Sequence, residues 1–261
     1  MENAGARSQV GRVYMSTVVV LSLAFAMFAA HTWQQTEREF VRELEHAAHL
    51  LRQTTVAELA HHESMLRVLG RRLQEVGALQ EPERGRHLVE QMLEINTSMA
   101  GFGLARADGQ LLLVSSIPAG RPLPSLMARE ESRQGVEAAL ASDRMVVGRT
   151  YYFPLLSRWI IPVRLALRDA EGRPQLMMTA GIDIDADTAL WNANERKQGV
   201  RVALLRDDGH YQLQLPAPRK QREAIYGEPV QAATDAERGL ESLVPQDGFQ
   251  LNALARFDHE A

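Results

Sequence analysis

The sequence predicts an α+β chain: an N-terminal transmembrane helix, a long second helix, then two antiparallel sheets in tandem, the second smaller and incomplete where the chain stops. Three observations predict it. One apolar run without a charged side chain, residues 13–33, has no second like it. Apolar and small residues then recur at steps of three and four over residues 34–79, the period of a buried helical stripe. Beyond residue 100 the texture changes to short apolar runs separated by Ala107-Asp108-Gly109, Asp169-Ala170-Glu171-Gly172 and Asp207-Asp208-Gly209. Such Asp/Gly turns join antiparallel strands, because glycine accepts the positive φ that the turn needs.

A hydrocarbon core of about 30 Å needs about 20 helical residues, so residues 13–33 are long enough to cross. In lipid the backbone must satisfy its own hydrogen bonds, so the crossing segment is read as a helix. Val18, Val19, Val20, Leu21, Leu23, Phe25, Met27 and Phe28 carry its apolar weight. Arg7 and Arg12 precede it, and Glu37, Arg38 and Glu39 follow. The positive-inside rule then leaves residues 1–12 in the cytoplasm and exports the rest. Ala24-Phe25-Ala26 has the small-x-small form of a signal-peptide cleavage site. A cut there would leave a short apolar core and strand Phe28, Ala29 and Ala30 beyond it, so an uncleaved anchor is the expectation.

Composition narrows the rest. The formal net charge is −4, which offers no basic surface to a nucleic acid. Cysteine is absent, so disulfides, thiol chemistry and cysteine-based zinc sites are excluded. An exported domain without disulfides must hold itself by its core, and 45% hydrophobic residues allow one.

The long helix shows Phe40, Leu44, Ala47, Leu51, Thr55, Leu59, Leu66, Leu69, Leu73 and Val76 on one stripe, until Pro82 and Gly85 break the pattern. Its membrane-near half is a candidate dimer seam, with a homodimer formed through residues 34–59. The alternative is a helix packed on its own domain along its whole length. A shorter helix is expected over residues 83–96, strands over 101–106 and 110–115, and a helix over 125–141. Residues 145–153, 159–168 and 174–184 are three further strand candidates. In the second of these, Trp159, Ile161, Val163, Leu165 and Leu167 mark one face by alternation. Residues 186–198 read as a connecting helix, 200–206 and 210–215 as a second hairpin, and 249–257 as a late strand.

This order of parts resembles the double Cache (PAS-like) extracytoplasmic sensor domains of bacterial transmembrane receptors. Gly148-Arg149-Thr150-Tyr151-Tyr152-Phe153 and Trp159-Ile160-Ile161-Pro162-Val163-Arg164-Leu165-Ala166-Leu167-Arg168-Asp169 carry the likeness best. They resemble the central strand pair of sensor regions that precede diguanylate cyclase or histidine kinase domains, and Ala180-Gly181-Ile182-Asp183-Ile184-Asp185 resembles the strand ending of a first module. The resemblance implies a signalling helix over residues 34–80, a membrane-distal module over 81–190 and a second, partial module over 191–261. It implies residence in a bacterial inner membrane with the bulk of the chain periplasmic. It further implies a small-molecule ligand of the organic-acid or amino-acid class, no cofactor and no enzyme activity. Cyclase, kinase and methyl-accepting signatures do not occur in the sequence, so an output domain is not expected in this chain.

The resemblance places the ligand in the first module. The nearest residues with suitable chemistry are Arg149, Tyr151, Tyr152, Arg158, Trp159, Arg164 and Asp183. A guanidinium can fork onto a carboxylate. Aromatic rings can wall a cation, and an aspartate can hold an ammonium. The amino-acid-binding members carry Arg and Trp two positions apart on one strand face. Here Arg158 and Trp159 are adjacent and point to opposite faces. Arg158, Ile160 and Arg164 share a face, so an anionic ligand is the better expectation. The competing reading makes Trp159 core and the arginines solvated.

Other patterns carry less. Asp183, Asp185 and Asp187 start like a calcium loop, but Thr188 and Asn194 stand where glycine and glutamate are required. His62-Glu63 begins a zincin-like pattern, and Leu66 occupies the second histidine position. No nucleophile elbow or phosphate-cradling glycine loop occurs. The rival function is a membrane-tethered envelope scaffold with no small ligand.

Overall fold

In the computed structural model, residues 3–186, 200–206, 208–215, 220–228, 240–242 and 251–257 are described. The chain divides into two compact units, residues 1–44 and 45–261. In the first, residues 14–36 form one helical stretch long and apolar enough to cross a membrane, and none of it is buried. Phe25 and Trp33 are 72% and 76% exposed there.

The helix that carries this stretch, α1 (Asn3–Glu75), is continuous. It ends at Glu75 rather than near Leu79, and Gly77 turns the chain with φ +75°. Within the second unit Ala48, Leu51, Thr55, Leu59, Leu66, Leu69 and Leu73 of α1 are buried. Leu51, Thr55 and Leu59, expected in a dimer seam, are thus already covered by their own chain. The face they leave open bears Leu50, Gln53, Ala57 and His61. His62 is buried next to them, and burial with the neighbouring His61 lowers its pKa to about 4. Glu63 anchors α1 to the domain: its carboxylate accepts from Arg67 at 2.8 Å and from Arg144 at 3.0 Å.

A 3-10 turn (Pro82–Gly85) and α2 (Arg86–Ile95) lead into the first sheet. Its strands are β1 (Met99–Arg106), β2 (Leu111–Val114), β3 (Val146–Val147), β4 (Tyr151–Phe153), β5 (Arg158–Arg168) and β6 (Pro174–Asp183). The order is β2-β1-β6-β5-β3, with β4 also on β5. The run 145–153, read as one strand, is two short strands, because Gly148 closes tightly on Pro162 and Arg164 between them. Each turn works through its aspartate. The Asp108 carboxylate accepts the Gln110 N–H at 2.9 Å and that of Asp169 accepts the Arg173 N–H at 2.8 Å. Gly109 and Gly172 take φ +84° and +80°.

One face of this sheet packs on α1, where a Cβ on Gly70 would stand 2.6 Å from Leu167 Cδ2. The other packs under α3 (Glu130–Ala141), whose Val136 and Ala139 join Ala105, Leu111, Val114 and Met177 in one apolar cluster. Arg168 closes α3 by donating to the carbonyls of Leu140 and Ser142. Ser115 and Asp143 serve the fold: Ser115 Oγ accepts the Phe102 N–H at 2.9 Å, and Asp143 pairs with Arg168 at 2.8 Å.

The second sheet is antiparallel, β8-β7-β10-β9, from β7 (Val200–Arg206), β8 (Tyr211–Leu215), β9 (Leu240–Ser242) and β10 (Leu251–Phe257). A short helix α4 (Arg222–Gly227) follows β8. The connecting helix expected over residues 186–198 falls almost entirely outside the described residues, as does Asp187.

Candidate functional site

Strand alternation decides what the α3-side face of the first sheet presents. β1 contributes Gly101 and Gly103, β6 contributes Thr179, Gly181 and Asp183, and β5 contributes Arg158, Ile160, Pro162 and Arg164. The register sets Gly103 opposite Thr179, Gly101 opposite Gly181, Thr179 opposite Arg164, and Ile160 opposite Asp183. The expectation that Arg158, Ile160 and Arg164 share a face holds.

A small, half-open cleft lies over this face, with about 30 Å³ of interior space. Gly101, Gly103 and Gly181 leave its floor bare, and Thr179 adds a hydroxyl. Leu126, Phe153 and Leu156 wall it, with Tyr151 as the polar ring. The glycines matter because the space is tight. A Cβ on Gly101 would lie 2.9 Å from Leu156, and one on Gly181 would lie 3.0 Å from Ile160. Nothing in residue type alone announces such a floor. The two-residue spacing of Gly101 and Gly103 on a strand was the available signal, since glycine inside a strand marks a close approach.

Arg164 is the largest fully buried side chain among the described residues, 0% exposed. Its Nη2 donates to Ser132 Oγ at 2.8 Å, from the first turn of α3. The Tyr151 hydroxyl lies beside the guanidinium. Gly135 and Gly148 make its slot: Cβ atoms there would stand 2.4 Å and 2.8 Å from Nη1. Among the described residues, Nε and Nη1 have no hydrogen-bond partner and no carboxylate pairs with the group. Burial pushes its pKa below the ordinary arginine value and Tyr151 pulls it back, but a guanidinium starts so high that it stays charged at neutral pH. A buried cation without a counter-charge is costly by several kcal/mol as an order of magnitude. Its two lining neighbours, Thr179 across the strand and Tyr151 at its side, connect it to the cleft.

Arg158 and Asp183 sit at the end of the same face. Arg158 Nη1 donates to Asp183 Oδ2 at 2.6 Å, while Asp183 Oδ1 accepts the Asp185 N–H at 2.9 Å. Asp183 therefore orients the end of β6 and is fully engaged.

The remaining predicted residues go elsewhere. Arg149 donates to the Gly227 carbonyl at 3.0 Å. Tyr152 and Trp159 stack with ring centroids 6.0 Å apart, and Trp159 stacks on Tyr226 of α4 at 5.6 Å. Burial raises the Tyr226 phenol to about 12. These three residues do not line the cleft; they belong to the junction of the two sheets. The junction also contains Thr150 Oγ1 donating to the Gln212 carbonyl at 2.6 Å and Gln212 Nε2 donating to the Gly148 carbonyl at 2.8 Å. Arg206 reaches the Val147 carbonyl at 2.9 Å, and Arg222 holds Asp185 bidentately at 2.6 and 2.7 Å. The β3–β4 strap is thus bonded to β5 on one side and to the second sheet on the other. Among the described residues, no group of three His, Cys, Asp or Glu side chains could hold a metal ion.

No protein-family profile matches the chain, and no curated protein matches it. Solved structures do. The ligand-binding domain of the Pseudomonas fluorescens chemoreceptor CtaA in complex with L-serine is similar at 12% identity and TM-score 0.60, over 86% of this chain and 100% of that one. That of the Campylobacter jejuni chemoreceptor Tlp3 with 4-methylisoleucine is similar at 11% identity and TM-score 0.56, over 83% and 90%. That of the Pseudomonas aeruginosa amino acid chemoreceptor PctC with GABA is similar at 16% identity and TM-score 0.56, over 83% and 98%. The fold of this chain is the double Cache fold of such sensor domains.

Proposed function

We propose that this chain is a membrane-anchored sensor of the bacterial inner membrane, with its two sheets in the periplasm and a small anionic ligand bound in the first. The observation that carries the reading is Arg164: a fully buried guanidinium with two unmatched nitrogens, walled by glycines, next to a cleft. Ser132 and Thr179 would complete the polar end, with the Tyr151 ring at its rim. The double Cache domains it resembles were solved with L-serine, 4-methylisoleucine and GABA, which supports a ligand of comparable size.

The anchor is residues 14–36, oriented by Arg7 and Arg12 on its N-terminal side. Signal would pass by population shift, since a ligand moves a balance of two arrangements only by its differential affinity for them. A homodimer would use the open α1 face of Leu50, Gln53, Ala57 and His61 rather than the covered stripe. Nothing in the site calls for catalysis.

The test is a thermal-unfolding screen of the full chain in lipid nanodiscs against organic acids, amino acids and amines. Stabilisation grows as RT ln(1 + [L]/Kd), about 2.7 kcal/mol at a hundredfold excess over Kd. A saturable rise in melting temperature with an anion is the expected result. Silence across all three classes would favour the tethered scaffold.

A further inference from the structure

We propose that the ligand is a small carboxylic acid with an apolar body and no ammonium group, its carboxylate taken by Arg164 as the Tyr151 hydroxyl swings aside. The proposal rests on reading the first sheet as the ligand site and goes further by choosing the chemical class. Three observations count against a place for an ammonium among the described residues. The cleft is lined by no carboxylate. The carboxylate on the same face of the sheet, Asp183, already has Arg158 on Oδ2 at 2.6 Å and the Asp185 N–H on Oδ1. A cation could still lie over an aromatic face, but the Tyr151 ring already faces the Arg129 guanidinium, 5.8 Å from its centroid. A buried ammonium left unpaired is strongly disfavoured.

An acid finds what an ammonium does not. Arg164 is buried and keeps Nε and Nη1 unmatched, and its Nη2 is fixed by Ser132. Each two-point edge of a guanidinium includes Nη2, so a carboxylate on the Nε edge would share Nη2 with Ser132; charge-assisted bonds of this kind are about twice as strong as neutral ones. Thr179, directly across the strand, adds a hydroxyl donor. The body of the acid would rest on the bare glycine floor between Leu126 and Leu156. Tyr151 both lines the cleft and lies against Arg164, so it is the group that must yield.

The experiment is calorimetric titration of the full chain in nanodiscs with three probes of one shape: 4-methylpentanoate, L-leucine and 3-methylbutylamine. The acid is expected to bind at least about tenfold more tightly than L-leucine, the ratio that corresponds to 1.4 kcal/mol, and the amine not at all. L-leucine binding as tightly as the acid overturns the proposal and leaves the sensor reading standing. Amine binding without acid binding overturns it too. Silence of all three probes also overturns it, whereas only silence across the wider screen would remove ligand binding itself. Arg164→Met is expected to abolish the titration while thermal unfolding shows a folded domain. Should that variant fail to fold, Tyr151→Phe decides: it removes the competing hydroxyl and is expected to tighten the acid, and loss of acid binding there contradicts the proposal.

Discussion

Arg158 on β5 spans to Asp183 on β6, with its Nη1 2.6 Å from the carboxylate, and so occupies the one acidic group at the end of the cleft face. The guanidinium is 55% exposed and the carboxylate 5%. Solvent screens the pair, so most of its worth lies in keeping a buried carboxylate partnered. Arg158→Ala should cost about 1 kcal/mol in denaturant unfolding. It should also free Asp183 for an ammonium, so L-leucine should gain affinity against the wild-type chain. Unchanged L-leucine affinity would show that Asp183 does not face the ligand.

Gly135 and Arg164 form a pair of opposite demands. A Cβ on Gly135 would stand 2.4 Å from Nη1, and the guanidinium has no slack because Gly148 closes the other side. Gly135→Ala should destabilise the domain by about 1–3 kcal/mol, the cost of overpacking. In an Arg164→Ala background the same substitution should cost much less. A double-mutant cycle with no coupling would put Arg164 somewhere else.

The fold was legible in the sequence where local chemistry decides it. The Asp108, Asp169 and Asp208 turns could be read because each aspartate satisfies backbone N–H groups two residues on, whatever the surroundings. Alternation placed Arg158, Ile160 and Arg164 on one face for an equally local reason. The site was legible only in part. Alternation also separates Tyr151 from Tyr152, and the structure sends the first to the cleft and the second to Trp159. Arg149 matched by residue type, but the break at Gly148 directs it to Gly227. The partners of Arg164, Ser132 and Gly135, come from a helix some thirty residues away, and no periodicity reports that encounter. The α1 stripe is buried as read from Leu51 to Leu73, yet a stripe does not say whether its cover is a second copy or the same chain.

His62 should make stability depend on pH. Its folded pKa, about 4, lies below the ordinary 6.5, so the unfolded chain binds the proton first. By linkage, stability is full above about pH 6.5 and falls by about 3 kcal/mol on the way to pH 4. His62→Leu should flatten the difference in unfolding free energy between pH 7 and 4.5. An identical slope in both proteins would mean that the imidazole binds its proton equally well in the folded and unfolded chain.

Gln212 ties the second sheet to the strap that carries Tyr151. It is buried, donates to Gly148 and accepts from Thr150 through its carbonyl. Gln212→Leu leaves the Gly148 carbonyl without its donor and should cost about 1–3 kcal/mol. Amide hydrogen exchange should quicken over residues 146–153 more than over β1. Uniform quickening would indicate global destabilisation without a specific link.

The most direct measurement of the central claim is amide hydrogen exchange of the full chain in nanodiscs, with and without saturating 4-methylpentanoate. The account predicts protection concentrated at residues 101–103, 148–153 and 179–183, the floor and wall around Arg164. Protection confined to β7 and β8, or none with binding shown by calorimetry, would contradict it.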